Sequence, residues 1–136
     1  MATGKAVEWD LSRERPESKW RIAREDGPVD ICEVVITADD AEWLAGFTRR
    51  LVEDRLAACG HQIAAIRSIY RWEGTVHDEP EARVALHTRA SLVPRIVERA
   101  DTEHPYDVPC VIALPVVDGN PAYVAWVLKE TSGDGL

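Results

Sequence analysis

The chain has 136 residues, of which 46% are hydrophobic and 29% are charged, and its formal net charge is −8. A chain of this length forms one ordinary domain and can bury a core without disulfides. The composition excludes collagen-like, low-complexity and fully disordered proteins. The acidic charge repels phosphate backbones and anionic lipid, so we expect neither nucleic acid nor a membrane surface as a partner, whereas cations are attracted.

The three cysteines, Cys32, Cys59 and Cys110, are an odd number without CxxC spacing. This pattern is typical neither of a disulfide framework nor of a zinc ribbon. The start of the chain contains no apolar segment of the kind found in secretory signals, and the longest apolar run, 111–117, is too short to span a bilayer. We therefore expect a cytoplasmic protein.

Residues 1–30 differ from the rest of the chain. They contain 6 Lys or Arg and 7 Asp or Glu and show no sustained apolar period. We interpret them as a charged, mobile or loosely docked N-terminal extension. Residues 31–131 then form the folded domain, and residues 132–136 form a short tail.

From residue 31 onward, hydrophobic periodicity and turn residues predict a regular succession of strands and helices. In chain order they are a strand at 31–37, a helix from about 39 to 56, a strand at 63–72, a turn region at 73–80, a strand at 82–88, a helix from 91 to 104, a strand at 108–117 and a helix at 122–130. The residues expected on the buried face of the first helix are Leu44, Ala45, Thr48, Leu51, Val52 and Leu56.

This order, βαββαβ with a terminal helix, predicts an α+β domain of the ferredoxin-like type. In it, two helices cover one face of a four-stranded antiparallel sheet, and right-handed crossovers leave few other topologies. The fold by itself does not indicate a function, because it carries many.

Cys59 and His61 are the first candidate metal ligands. Residues two apart on a strand face the same side, so this thiolate and this imidazole could reach one ion. Two ligands do not close a site, since a tetrahedral site needs four. The alternative is a buried small thiol beside a surface histidine.

The segment 104–109, His-Pro-Tyr-Asp-Val-Pro, predicts a rigid loop between a helix and a strand. Such a loop could present the imidazole of His104, a phenol and a carboxylate to a ligand. The alternative is a helix terminator, in which His104 meets the last carbonyls of the preceding helix.

The segment 70–74, Tyr-Arg-Trp-Glu-Gly, lies near the tip of a long hairpin. A lone four-stranded sheet cannot cover Trp72 at that position, and exposed aromatic hairpins invite association. We therefore expect this hairpin to contact another subunit.

Five separated motifs resemble the CutA divalent-cation-tolerance family. They are Val-Val-Ile-Thr-Ala (34–38), Leu-Ala-Ala-Cys (56–59), Arg-Ser-Ile-Tyr-Arg-Trp-Glu-Gly (67–74), His-Pro-Tyr-Asp-Val-Pro (104–109) and Asp-Gly-Asn-Pro-Ala-Tyr-Val-Ala-Trp (118–126). The resemblance covers residues 31–130 and implies a ferredoxin-like subunit in a homotrimer with the architecture of PII signalling proteins. It also implies an association with tolerance to divalent metals, notably copper, and no enzymatic activity.

The chain departs from this family pattern at several positions. His61 stands where the family often has Asn, His87 where it often has Lys, and Cys110 where an acidic residue is usual. All three substitutions introduce softer metal ligands.

We therefore expect a trimeric, cytoplasmic, non-catalytic protein that binds copper or another divalent cation weakly and requires no cofactor. The expected metal ligands are Cys59, His61 and His104. The residues expected at the subunit interface or in its clefts are Tyr70, Trp72, Glu73, Tyr106 and Trp126. The alternative is a PII-like sensor that binds a small ligand in the clefts between subunits. An acylphosphatase-like enzyme and an RNA-binding domain fit the residues poorly.

Overall fold

A computed structural model describes residues 30–132. The elements, in chain order, are β1 (Ile31–Ala38), α1 (Ala41–Glu53), β2 (Cys59–Trp72), β3 (Thr75–Arg89), a short 3₁₀ turn (Ala90–Leu92), α2 (Val93–Glu103), β4 (Val111–Pro115) and α3 (Pro121–Glu130). The expectations for the extension before residue 30 and for the tail after residue 132 lie outside the described residues.

The four strands form one antiparallel sheet in the order β2-β3-β1-β4. Strand β3 lies between β1 and β2, so the helix α1 connects two strands that are not neighbours. This split β-α-β arrangement confirms the predicted ferredoxin-like architecture.

The main core lies between one face of the sheet and the helices α1 and α2. Alternate residues of β1 and β3 point into it, among them the fully buried Val34, Ile36, Val84 and Leu86. The helices contribute the fully buried side chains of Leu44, Phe47, Leu51 and Ile96.

The buried face of α1 differs in part from the prediction. Phe47, which the prediction omitted, is fully buried and stacks on Trp43 with ring centroids 5.0 Å apart. Ala45 and Val52 are exposed instead. The apolar stripe is therefore centred on residues 44, 47 and 51, because this spacing follows one side of a 3.6-residue turn more closely.

Several predicted boundaries were also wrong. The hairpin strands are longer than expected, because residues 75–80 pair with β2 instead of forming a turn. The connection is only Glu73-Gly74, and both residues have positive φ, as a tight hairpin turn requires. Helix α1 is capped by Asp40 rather than Asp39: its carboxylate accepts hydrogen bonds from the backbone N–H groups of Glu42 and Trp43.

The helix α3 packs on the other face of the sheet. Val124 and Val127 of this helix form a second small core with Ile31 and Ala58. The rest of that sheet face is largely uncovered, and Ile63, Ile112 and Leu114 are among its exposed side chains. None of the helices within residues 30–132 is both long and apolar enough to cross a membrane.

Candidate metal site and neighbouring cleft

Three side chains lie in one row across the sheet beneath α3. Cys59 at the start of β2 pairs with His87 of β3, which in turn pairs with Glu33 of β1. His61 follows two residues after Cys59 and therefore shares its face, diagonally across from His87.

Gly60 lets the first residues of β2 pack closely against helix α1. A Cβ atom at this position would lie 2.5 Å from Cγ2 of Thr48 on α1 and 3.0 Å from Cδ2 of Leu86. Only glycine fits between the helix and the sheet there. The close packing behind Gly60 thus fixes the two residues on either side of it, Cys59 and His61, toward the opposite face.

Cys59, His61 and His87 form what we call the Cys59 cluster. One ligand atom from each lies within 4.8 Å of the others. The Cys59 Sγ is 3.8 Å from Nδ1 of His87, and the two imidazole rings are 5.4 Å apart between centroids. His61 is exposed, whereas Cys59 and His87 are half-buried, so the cluster opens to solvent on the His61 side.

The hydroxyl of Tyr123 on α3 contacts two members of the cluster. It lies 3.2 Å from the Cys59 Sγ and 2.5 Å from Nδ1 of His87. The other ring nitrogen of His87, Nε2, is 3.5 Å from Oε1 of Glu33. Thiol, phenol, imidazole and carboxylate are therefore linked in one polar chain.

These contacts change the ionisation of the thiol and the imidazole in opposite directions. Burial alone would raise the pKa of Cys59, but the hydrogen bonds from His87 and Tyr123 outweigh it, so the pKa of this thiol is lowered. The hydrogen bond with Cys59 and the charge of Glu33 raise the pKa of His87 despite its partial burial. Burial and the contact with Cys59 raise the pKa of Tyr123.

The donor set of one sulfur and two imidazole nitrogens suits a soft or borderline ion such as copper or zinc. Ligand atoms around a tetrahedral ion lie about 3.5 Å apart, so the side chains of the Cys59 cluster would have to close in by about an ångström. A fourth position remains for water or another oxygen. The residues present therefore fit a weak, open site.

His104, the third predicted ligand, is not brought to this cluster. It is buried near the other end of β1, where its Nε2 lies 2.8 Å from the carbonyl oxygen of Thr37. Its Nδ1 accepts a hydrogen bond from the backbone N–H of Tyr106 at 3.0 Å. Both ring nitrogens are thus engaged in positioning the loop after α2.

A cleft of about 660 Å³ lies between the β2–β3 hairpin and the loop of residues 106–110. We call it the hairpin cleft. Three of the five predicted interface residues, Tyr70, Trp72 and Tyr106, line it. Glu73 lies in the hairpin turn, and Trp126 lies on α3 beside Tyr123, 5.7 Å away between ring centroids.

The prediction of site residues missed three members of the polar chain. His87 stood out as a soft ligand that departs from the family pattern, but its place opposite Cys59 depends on strand register. Glu33 and Tyr123 carried no local signal for the site, because they reach it only through β1 pairing and α3 packing.

Comparison with known proteins gives consistent matches. The family model of the CutA1 divalent ion tolerance protein matches residues 32–130. Over 100 residues, the chain is 39% identical to the divalent-cation tolerance protein CutA of Thermus thermophilus, covering 74% of this chain and 96% of that protein. It is 39% identical to Protein CutA of Mus musculus over 104 residues, or 76% of this chain and 59% of the mouse protein.

Solved structures agree with this match. The structure of CutA1 from Oryza sativa superposes with a TM-score of 0.75 at 34% sequence identity, covering 79% of this chain and 98% of that chain. The structural similarity therefore extends over nearly the whole rice chain. By contrast, the part of this chain that matches the mouse protein spans less than two thirds of the mouse protein's length.

Proposed function

Because the chain belongs to the CutA1 divalent ion tolerance family, we propose that it is a metal-response protein that binds copper or another soft divalent ion weakly. The observation that carries the proposal is the Cys59 cluster, in which a thiol and two imidazoles converge within 4.8 Å. We assign this cluster a binding role and no catalytic step.

The charge of the chain and its free thiols support the same function. The net charge of −8 attracts cations. Cys32, Cys59 and Cys110 are free thiols, and a thiolate ligand stays available only where thiols remain reduced. A cytoplasmic location is therefore part of the proposal.

A homotrimer is the proposed assembly. Its support is the exposed apolar surface of the subunit, which includes Ile69 and Trp72 on the hairpin and Ile63 and Ile112 on the sheet. Large apolar side chains left exposed in this number favour burial against another chain. A closed ring is required, since an open head-to-tail contact would make filaments.

The test is a titration of the full chain with Co(II) and Zn(II), and with Cu(I) under anaerobic conditions. We expect a thiolate-to-cobalt absorption band and about a tenfold or greater loss of affinity in Cys59→Ser, His61→Asn and His87→Asn. His77→Asn, on the hairpin beside Tyr70, is the matched control and should bind like the parent. Unchanged affinity in all three cluster variants would contradict the proposal.

The hairpin cleft favours a second candidate function, that of a PII-like sensor that binds a small ligand in the clefts between subunits, where the hairpin cleft would form one wall of the site. The cleft's volume of about 660 Å³ falls in the range of small-molecule sites. Under this function, ligand binding would not depend on a metal ion. Titration with small ligands in the presence of a chelator separates the two functions.

A further inference from the structure

The thiol of Cys59 differs from the other two thiols of the chain in its neighbours. Cys32 is buried, and Cys110 is exposed, with no hydrogen bond to its thiol among residues 30–132. Cys59 is half-buried and contacts the imidazole of His87 and the phenol of Tyr123. Reactive cysteines occupy partly exposed places of this kind, beside groups that exchange protons. Of the three thiols, Cys59 is therefore the one placed to act as a nucleophile.

His87 is positioned to take the proton of this thiol. Its Nδ1 lies 3.8 Å from the Cys59 Sγ. Its other ring nitrogen, Nε2, faces Oε1 of Glu33 at 3.5 Å, and this contact favours the tautomer that carries its proton on Nε2. Nδ1 is then the basic nitrogen, so the thiol proton has an acceptor on the correct side of the ring.

The hydroxyl of Tyr123 supplies a proton donor on the same side of the sulfur. It lies 3.2 Å from the Cys59 Sγ and 2.5 Å from Nδ1 of His87, so it bridges the two groups. A proton that His87 has taken up can return through this hydroxyl to a leaving group formed next to the sulfur. Thiol, base and acid thus lie within reach of one small reactant.

The approach to the sulfur is from the side of His61, which is exposed, whereas Cys59 and His87 are half-buried. Partial burial of the sulfur favours a reactant about as small as water over a bulky one. Cys59 begins β2 and Trp72 ends it, so at about 3.3 Å per residue the sulfur lies roughly 40 Å from the hairpin tip. The reacting groups are therefore separate from the hairpin cleft and from the proposed interface residues on the hairpin.

We propose that Cys59 is a modification site at which hydrogen peroxide oxidises the thiol to a sulfenic acid. The sulfur attacks one peroxide oxygen, so the S–O bond forms and the O–O bond breaks. The sulfur is oxidised by two electrons, and the peroxide is reduced. The thiol proton passes to His87, and the leaving hydroxide takes a proton through Tyr123 and departs as water. An added thiol reduces the sulfenic acid again through a mixed disulfide.

The modification regulates the metal site, and in this respect the inference rests on the proposed function. Soft ions are bound by the thiolate, so oxidation of Cys59 removes the sulfur donor from the Cys59 cluster. The oxidation itself needs no metal ion. Its chemistry is therefore tested on metal-free protein, separately from metal binding.

The experiment treats the full chain with hydrogen peroxide in the presence of a chelator and traps the sulfenic acid with dimedone. It uses a Cys110→Ser background, in which the other remaining thiol, Cys32, is buried. Peptide mass spectrometry locates the adduct and gives its rate, with Cys59→Ser as the blank and free N-acetylcysteine as the reference. We expect Cys59 to be labelled at least about tenfold faster than the free thiol. A rate no higher than that of the free thiol, or no adduct, would overturn the proposal.

Two reagents separate proton donation from formation of the thiolate. A disulfide reagent with an acidic leaving thiol needs no proton from the protein, whereas the hydroxide that leaves from peroxide does. Tyr123→Phe should therefore slow the peroxide reaction about tenfold more than the disulfide reaction, and His87→Asn should slow both. His61→Asn is the control and should keep the parent's peroxide rate, since His61 makes no hydrogen bond to the Cys59 thiol in the described structure. Equal slowing of both reagents in Tyr123→Phe would contradict the role of Tyr123 as the donor.

A cobalt titration tests the regulatory consequence. The oxidised protein should lose the thiolate-to-cobalt band and recover it after reduction with dithiothreitol. A band that persists in fully sulfenylated protein would overturn the regulation. Failure of the untreated protein to bind cobalt would instead contradict the proposed function, and the peroxide rates would still decide the oxidation chemistry. Light scattering should give each variant the mass of the parent, so that a change in assembly is excluded as the cause.

Discussion

The thiol of Cys59 and the hydroxyl of Tyr123 lie 3.2 Å apart, although 64 positions separate the two residues in the chain. The contact joins the start of β2 to α3, and it places a hydrogen-bond donor directly beside the sulfur of the proposed metal site. The ionisation of the Cys59 thiol therefore depends on the position of α3, the helix that packs on the face of the sheet opposite the main core.

Removing the Tyr123 hydroxyl should raise the pKa of Cys59, because the hydrogen bond from Tyr123 helps to lower it. In Tyr123→Phe, the thiol should react about fivefold more slowly with a disulfide reagent near neutral pH. The measurement is the rate of thiol modification as a function of pH. It is made in a Cys110→Ser background, since Cys110 is exposed and Cys32 is buried. An unchanged pH profile would show that Tyr123 does not stabilise the thiolate.

Metal binding should weaken as the pH falls, since His87 must lose its proton to act as a ligand. The pKa of His87 is raised by Cys59 and by Glu33, so protonation competes with the metal already above the ordinary histidine value of about 6.5. Glu33→Gln removes one cause of this shift and should move the midpoint of metal binding to lower pH. Cobalt titrations across the histidine range measure it, with Glu130→Gln as the control. The same midpoint in the Glu33 variant and the parent would contradict this role of Glu33.

Gly60→Ala should destabilise the domain and weaken metal binding together. The added Cβ would lie 2.5 Å from Thr48 Cγ2 and 3.1 Å from Val84 Cγ2, so helix and sheet must separate. Overpacking of this kind costs about 1–3 kcal/mol. Urea unfolding and cobalt titration measure the two effects. In the control Gly46→Ala, the nearest atom is Nη1 of Arg50 at 3.5 Å. That variant should be as stable as the parent or more so, since alanine favours helix.

Truncating Trp72 should weaken the proposed trimer. This side chain is 45% exposed in the isolated subunit, near the tip of the hairpin. If it is an interface hot spot, Trp72→Ala costs about 2–4 kcal/mol of association free energy. Light scattering over a dilution series measures the mass, and Val52→Ala on α1 is the control. A monomeric mass for the parent protein would rule out the trimer.

Glu103 joins the two helices of the main core and should make stability depend on acid pH. It accepts a hydrogen bond from Arg50 of α1 at 3.0 Å and another from Arg99 of α2. Partial burial would raise the pKa of Glu103, but the two arginines outweigh it and lower the pKa below the ordinary value of 4.5.

The unfolded chain therefore binds more protons than the folded one in the range just below pH 4.5. The stabilisation by Glu103 is fully present above that value and is lost as the pH falls through the lowered pKa. In Glu103→Gln, the loss at neutral pH should be at most about 1 kcal/mol, because the pair is partly solvent-exposed. Between about pH 3 and pH 7, the melting temperature of the Glu103→Gln variant should rise less steeply with pH than that of the parent. An identical slope would mean that these ion pairs do not contribute.

The sequence by itself determined the order of the elements and the class of fold, whereas the shared face of Cys59 and His61 follows only because β2 begins at Cys59 and not at residue 63 as predicted. The order and the class depend on local periodicity: side chains alternate every two residues in a strand and every 3.6 in a helix, whatever surrounds them. The predicted helix at 122–130 agrees with α3, which begins at Pro121 directly after the capping Asn120. The sequence did not predict the full length of the hairpin strands, because residues 75–80 contain Asp78 and Pro80, which are typical of turns.

Only the tertiary structure decided which side chains meet in the Cys59 cluster. His87 stands opposite Cys59 because β2 and β3 pair in one register, and a shift by a single residue would turn it to the other face. That register is fixed by non-local packing, such as the contact of α1 with Gly60. Tyr123 reaches the thiol because Val124 and Val127 dock α3 on Ile31 and Ala58. His104, equally prominent in the sequence, is directed instead to Thr37 and Tyr106, since a buried imidazole must satisfy both of its ring nitrogens.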